Sequence, residues 1–132
     1  MAINKAYSAY KSNSISTSKP EELTLMLYNG LVRFIMQAQK SIEDKDREKA
    51  HENIVRAQDI ILEFEATLDP QYEISNNLMS LYGYIHRRLI DANVKKDKQI
   101  LDEVLKFATD LRDTWVQAMK QAKEQKIMSI AK

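Results

Sequence analysis

The residues best placed to do chemistry are Glu48 and His51. Glu48-Lys49-Ala50-His51 has the Glu-x-x-His spacing with which di-iron and di-manganese bundles ligate metal from one helix face. Such a centre takes two copies of the motif and two further inward carboxylates. The other histidine, His86, has Gly83 three positions before it, so the second copy is missing. His51 therefore reads as a surface residue at a charged helix start, and no metal site is assigned. The chain has no cysteine, which excludes thiol catalysis, disulfides and thiolate metal sites. No Gly-rich phosphate loop, nucleophile elbow or metal-spaced histidine pair occurs. The remaining acids mostly lie among lysines and arginines, as on solvated helix faces. No catalytic residue and no cofactor is expected, and the chain reads as a non-enzyme. Arg87-Arg88, with His86 and Lys95-Lys96, forms a local positive surface. Its members are either solvated or paired, Arg87 or Arg88 with Asp113 or another acid across a bundle, with Trp115 packed nearby.

The elements that carry these residues are helical. Only two glycines and two prolines occur in 132 residues, too few for the turns of a hairpin or sandwich fold. With 44% hydrophobic residues, this length supports one domain with its own core. The organising stretch is Pro20 to Met36. Leu23, Met26, Leu27, Gly30, Leu31, Phe34, Ile35 and Ala38 recur at steps of about three and four, the stripe of a helix with a core face. Leu25, Tyr28, Val32 and Met36 repeat at similar spacing, rotated toward the side that should see solvent. Ser18 and Glu21 suggest a capping box, with Pro20 in the first turn.

A second helix is expected from Arg47 to Ala66, capped by Asp44 or Asp46 and broken at Leu68-Asp69-Pro70. The third begins near Tyr72 to Ser75 and closes at Asn93, with Leu78, Leu81, Ile85 and Leu89 inward and Met79, Tyr82, Tyr84 and Ile90 on its flank. Asp97 caps the fourth, where Leu101, Val104, Leu105, Ala108, Leu111 and Trp115 keep a near heptad repeat. The expected fold is all-α, an antiparallel four-helix bundle over residues 18–124. Residues 1–17 form a partly ordered N-terminal arm, free of acidic residues, and 125–132 form a fraying tail. Gly30 and Gly83 both fall inside helices, which points to close approach by a neighbouring helix or a bound chain.

A net charge of +1 gives no basic excess for nucleic acid. No run is long enough for membrane insertion, no apolar signal core opens the chain, and cytoplasmic residence is the default. The arm's Tyr7, Tyr10 and Ile15 are apolar groups in a polar run, and they read as a docking tail or as a frayed terminus.

Taken in order, these residues resemble a known family. Tyr7-x-x-Tyr10, Ile15, Thr17 and Pro20-Glu21-Glu22-Leu23-Thr24-Leu25-Met26-Leu27-Tyr28-Asn29-Gly30 are similar to the opening of the flagellar secretion chaperones for flagellin, the FliS family. The similarity continues through Ala57-Gln58-x-Ile60-Ile61, Leu68-Asp69, Asn77-Leu78-x-x-Leu81-Tyr82-x-Tyr84-x-x-Arg87-Arg88-Leu89-x-x-Ala92-Asn93 and Leu111-Arg112-Asp113-x-Trp115. It covers about residues 7 to 117, and Lys19 and Gly83 look less typical of the family. The resemblance implies a cytoplasmic export chaperone that holds the disordered C-terminal segment of flagellin and blocks premature polymerisation. It also implies delivery to the flagellar type III export gate, with the N-terminal arm lying over part of the client site when that is empty. Surplus apolar surface and resemblance together nominate Leu25, Tyr28, Val32, Met36, Met79 and Tyr82 as partner-binding residues, and Tyr7, Tyr10 and Ile15 as a regulatory arm. The alternative is a self-associating structural bundle, in which a second copy covers the same faces, and a homodimer of the free protein stays open.

Overall fold

The computed structural model describes residues 19–131. Within them the chain forms four helices, α1 (Pro20–Glu43), α2 (Arg47–Thr67), α3 (Ile74–Lys95) and α4 (Lys98–Ala131), and no strand. Local chemistry sets each start. Lys19 is extended and takes the N-cap of α1, Pro20 occupies the first turn, and the Glu22 carboxylate accepts from the Lys19 N–H at 3.4 Å. The N-cap is Lys19, with Glu22 in the place expected of Glu21, and Ser18 lies outside the described residues. Asp46 caps α2 by accepting from the Lys49 N–H at 3.0 Å, and Asp97 accepts from the Gln99 N–H at 2.9 Å ahead of α4. The α2–α3 link opens with Leu68 in extended conformation, two residues before Pro70. Helix α3 runs past Asn93 to Lys95, and Lys96, in the left-handed region, ends it by donating its N–H to the Ala92 carbonyl.

The helices close into a ring in which α1 packs on α2 and α4, and α3 packs on the same two. Cross-links fix the directions. Gln39 Nε2 donates to Asp102 at 2.7 Å near one end of α1, and Trp115 Nε1 donates to the Glu21 carbonyl at 2.9 Å at the other, so α1 and α4 run antiparallel. Asn93 with His51, and Phe64 with Tyr82, set α3 against α2 in the same way. Leu31, Ile35, Ile54, Ile61, Ile85, Leu89, Leu101 and Val104 are fully buried at the centre, two from each helix. Each contributes about 1.5–3 kcal/mol of burial free energy. The molecule is an antiparallel four-helix bundle, as its pattern predicts.

The C-terminal end departs from expectation. Helix α4 has 34 residues against 24, 21 and 22 in the others, so the segment expected to fray is a helical continuation. Trp115 lies opposite Glu21, at the start of α1, so no described helix runs alongside the later turns of α4. Ile127, Met128 and Ile130 are consequently exposed. No helix among the described residues is long and apolar enough to cross a membrane.

Candidate partner-binding surface

Four aromatic rings from all four helices meet near the Trp115 end of the bundle. Tyr28 stacks on Phe64 with centroids 4.4 Å apart, Phe64 stacks on Tyr82 at 5.6 Å, and Trp115 tilts against Tyr28 at 6.5 Å. The two tyrosine hydroxyls share a buried hydrogen bond of 2.7 Å across the bundle, from α1 to α3. Burial pushes both phenols above the usual tyrosine value, partly offset at Tyr28 by the bond to Tyr82, so both stay protonated at neutral pH. They are a satisfied structural pair.

This corrects the sequence reading of Tyr28, Val32 and Tyr82. All three lie in the core, at 6%, 6% and 2% exposure, where an outward stripe was expected for α1. At about 100° per residue, the buried arc of α1 runs from Gly30 through Leu27 and Leu31 to Val32, about 200° wide. Two neighbours, α2 and α4, cover it together. Leu25 is half-buried at the edge of that arc, while Met36 is 53% and Met79 43% exposed. Of the six nominated partner-binding residues, Met36 and Met79 are therefore well exposed to solvent. Tyr7, Tyr10 and Ile15 lie outside the described residues.

Exposed apolar groups do gather elsewhere. On α3, Met79, Gly83, Arg87, Ile90 and Val94 recur at steps of about three and four and share the outward face. Ile90 was legible as a flank residue of this helix, but Val94 was missed, although its spacing from Ile90 continues the same stripe. The glycines divide the earlier alternatives. A side chain at Gly30 would meet Ile60 Cδ1 at 3.4 Å, so a neighbouring helix occupies that side. At Gly83 it would meet only Arg87 of its own helix.

The basic residues resolve as well. Arg88 bridges from α3 to α4, donating to Glu103 at 2.9 Å and to Asp91 at 3.2 Å, and the Tyr84 hydroxyl donates to the same Glu103 carboxylate. Glu103 holds the Arg88 guanidinium above its usual pKa. Glu103 is the cross-bundle acid, since Asp113 pairs with its neighbour Arg112 at 3.2 Å and Trp115 packs at the Tyr28 cluster. His51 is exposed and bonded to Asn93, and Glu48 points to solvent. Among the described residues no group of three potential ligands stands close enough to hold a metal ion. The grooves described stand partly open to solvent, such as one of about 400 Å³ lined by Tyr84, Arg87, Arg88, Ile90 and Asp91. Such surfaces suit a chain laid along them better than a small molecule enclosed by them.

Comparison with known proteins places this arrangement. The sequence model of the family described as "Flagellar protein FliS" matches residues 3–122. The chain belongs to the FliS family. The flagellar secretion chaperone FliS of Bacillus subtilis (strain 168) is 47% identical over 119 residues, covering 90% of each chain. That of Campylobacter jejuni is 31% identical over 117 residues, covering 87% of this chain and 91% of its own. A crystal structure of a flagellar chaperone from bacteria shares the fold, with a TM-score of 0.72 at 20% identity over 89% of this chain and 97% of the other. Membership of the FliS family extends the role of flagellar secretion chaperone to this chain. The FliS match takes in the Tyr28–Tyr82 pair and the outward face of α3, and it ends at residue 122. The last turns of α4, from 123 onward, lie beyond it.

Proposed function

We propose that this FliS family member binds the C-terminal segment of flagellin in the cytoplasm, keeps it from polymerising and delivers it to the flagellar type III export gate. The role is one of binding, without catalysis. The observation that carries the reading is a core already completed by its own helices beside exposed apolar side chains on outer faces, Met36 on α1 and Met79, Ile90 and Val94 on α3. A disordered client that folds as it binds can wrap such separated patches, burying on the order of 1,000–3,000 Å². Methionines adapt to a segmented apolar partner because their side chains are unbranched and polarizable. In this reading Met36, Met79 and the edge residue Leu25 touch the client, while Tyr28, Val32 and Tyr82 shape the surface from beneath. Tyr7, Tyr10 and Ile15 cover part of that surface when no client is bound.

A polymerisation assay tests this directly. Flagellin monomers seeded with filament fragments should stop elongating when the protein is added in equimolar amount, and removal of the flagellin C-terminal segment should abolish co-elution of the two. Unchanged elongation at excess protein would reject the client assignment. Self-association is the second reading, favoured by the exposed Ile127, Met128 and Ile130 on the projecting end of α4. Sedimentation equilibrium of the client-free protein separates the two, since only self-association makes the mass rise with concentration.

A further inference from the structure

The α1–α2 and α3–α4 turns meet at one end of the bundle, opposite the aromatic cluster. Ile42, Lys45, Arg47, Lys95 and Lys96 line an open groove of about 290 Å³ there, and no carboxylate does. Of the acids nearest in sequence, Glu48 is exposed to solvent beside Arg47 and the others are engaged elsewhere. Asp44 pairs with Lys40 and Glu43 with Lys98, while Asp46 and Asp97 cap α2 and α4. Among the described residues the side chains of Lys45, Arg47 and Lys95 make no ion pair or hydrogen bond, and Lys96 Nζ donates only to the carbonyl and side-chain oxygens of Asn93, both uncharged. Burial first, and then the charge of Arg47, pull the Lys96 ammonium below its usual pKa.

The backbone supplies a second, independent anomaly. Lys45 and Lys96 are the two non-glycine residues with positive φ among those described, at 61° and 52°, and both line this groove. Helix ends commonly place glycine or asparagine in that conformation, because a Cβ there crowds the following carbonyl. The repulsion between Arg47 and Lys96 and the two lysines in left-handed conformation each cost stability, and a bound anionic group would offset the first.

We propose that this groove docks an acidic peptide segment, whose carboxylates meet Lys45, Arg47 and Lys95 while an intervening apolar side chain seats on Ile42. The apolar floor and the aliphatic stems of the lysines match a side chain better than a phosphate. A net charge of +1 provides none of the long-range attraction that nucleic acid binding draws on. The site is separate from the outward face of α3 and does not depend on the flagellin reading.

The test titrates the full-length 15N-labelled protein at low salt with the capped hexapeptide Glu-Leu-Glu-Glu-Leu-Glu, with inorganic pyrophosphate as a parallel arm. The expected result is saturable shifts at the amides of 42–47 and 95–97, weakened roughly tenfold or more in Lys45→Gly/Lys95→Gln and lost at high salt. Lys45→Gly alone should also raise the melting temperature, an effect opposite to that of losing a stabilising side chain. No saturable shift at millimolar peptide, shifts scattered over the surface, equal affinity in the double variant, or tighter binding of pyrophosphate would each overturn the proposal. A fall in melting temperature for Lys45→Gly would remove its backbone argument.

Discussion

Replacing Tyr28 by phenylalanine removes a single oxygen and leaves the stack on Phe64 in place. The hydroxyl of Tyr82 then loses its one recorded partner at a site only 2% exposed. Orphaning a buried hydroxyl costs about 1–3 kcal/mol, whereas removing both members of such a pair can be nearly neutral. Tyr28→Phe and Tyr82→Phe should therefore each lower stability by about 1–2 kcal/mol, a loss of roughly 4 °C in melting temperature per kcal/mol. The double variant should lose less than the sum, leaving a coupling energy of about 1 kcal/mol or more. Urea unfolding followed by circular dichroism on all four proteins measures the cycle. Strict additivity, or a neutral Tyr28→Phe, would refute the buried pair and restore Tyr28 to an outward stripe. Tyr28→Ala is unsuitable for testing partner contact, since loss of a buried ring costs about 3–5 kcal/mol and confuses folding with binding.

Further expectations follow from the same geometry. Because both phenols have folded pKa values above the unfolded value of about 10, their contribution is complete below that pH and declines as pH rises beyond it; the double phenylalanine variant should show a flatter alkaline unfolding limb. Gly83→Ala should stabilise the fold by about 1 kcal/mol in urea, since only the flexible end of Arg87 faces the added methyl group. If the outward face of α3 carries the client, the same variant weakens flagellin binding while folding more stably, which calorimetry reads separately. Asp46→Ala should cost about 1 kcal/mol by uncapping α2, with accelerated amide exchange at Lys49.

Much of the architecture is legible in the sequence because helix punctuation is local. Pro20, Asp46, Asp97 and the Leu68-Asp69-Pro70 break all act within a turn of where they stand, and the helices begin and end beside them. The misses are equally physical. Lys96 ends α3 in a conformation usually left to glycine or asparagine, so Asn93 looked the better stop. The tail looked frayed because its apolar period fades, yet the helix continues on backbone bonds alone once α4 has outrun α1. Surface residues were harder. Periodicity orders the faces of one helix but does not state how many neighbours share them, and two neighbours on α1 turned Tyr28 and Val32 from surplus into core. The Arg88–Glu103 bridge was foreseen only as a pairing with some acid across the bundle, because its partner lies on another helix at a register that short motifs do not encode. The basic groove joins two turns far apart in sequence, and only the antiparallel closure brings them together.

The central claim is a flagellar chaperone whose outer apolar faces hold flagellin. Titration calorimetry with a peptide covering roughly the last 40 residues of the flagellin from the same organism tests it most directly, run at several temperatures with the unaltered protein and with Met36→Ser/Met79→Ser. Binding at micromolar concentration or tighter, a markedly negative heat-capacity change and a clear loss of affinity in the variant are predicted. Absence of heat with a correctly folded sample, or identical affinity in a variant stripped of both exposed methionines, would contradict it.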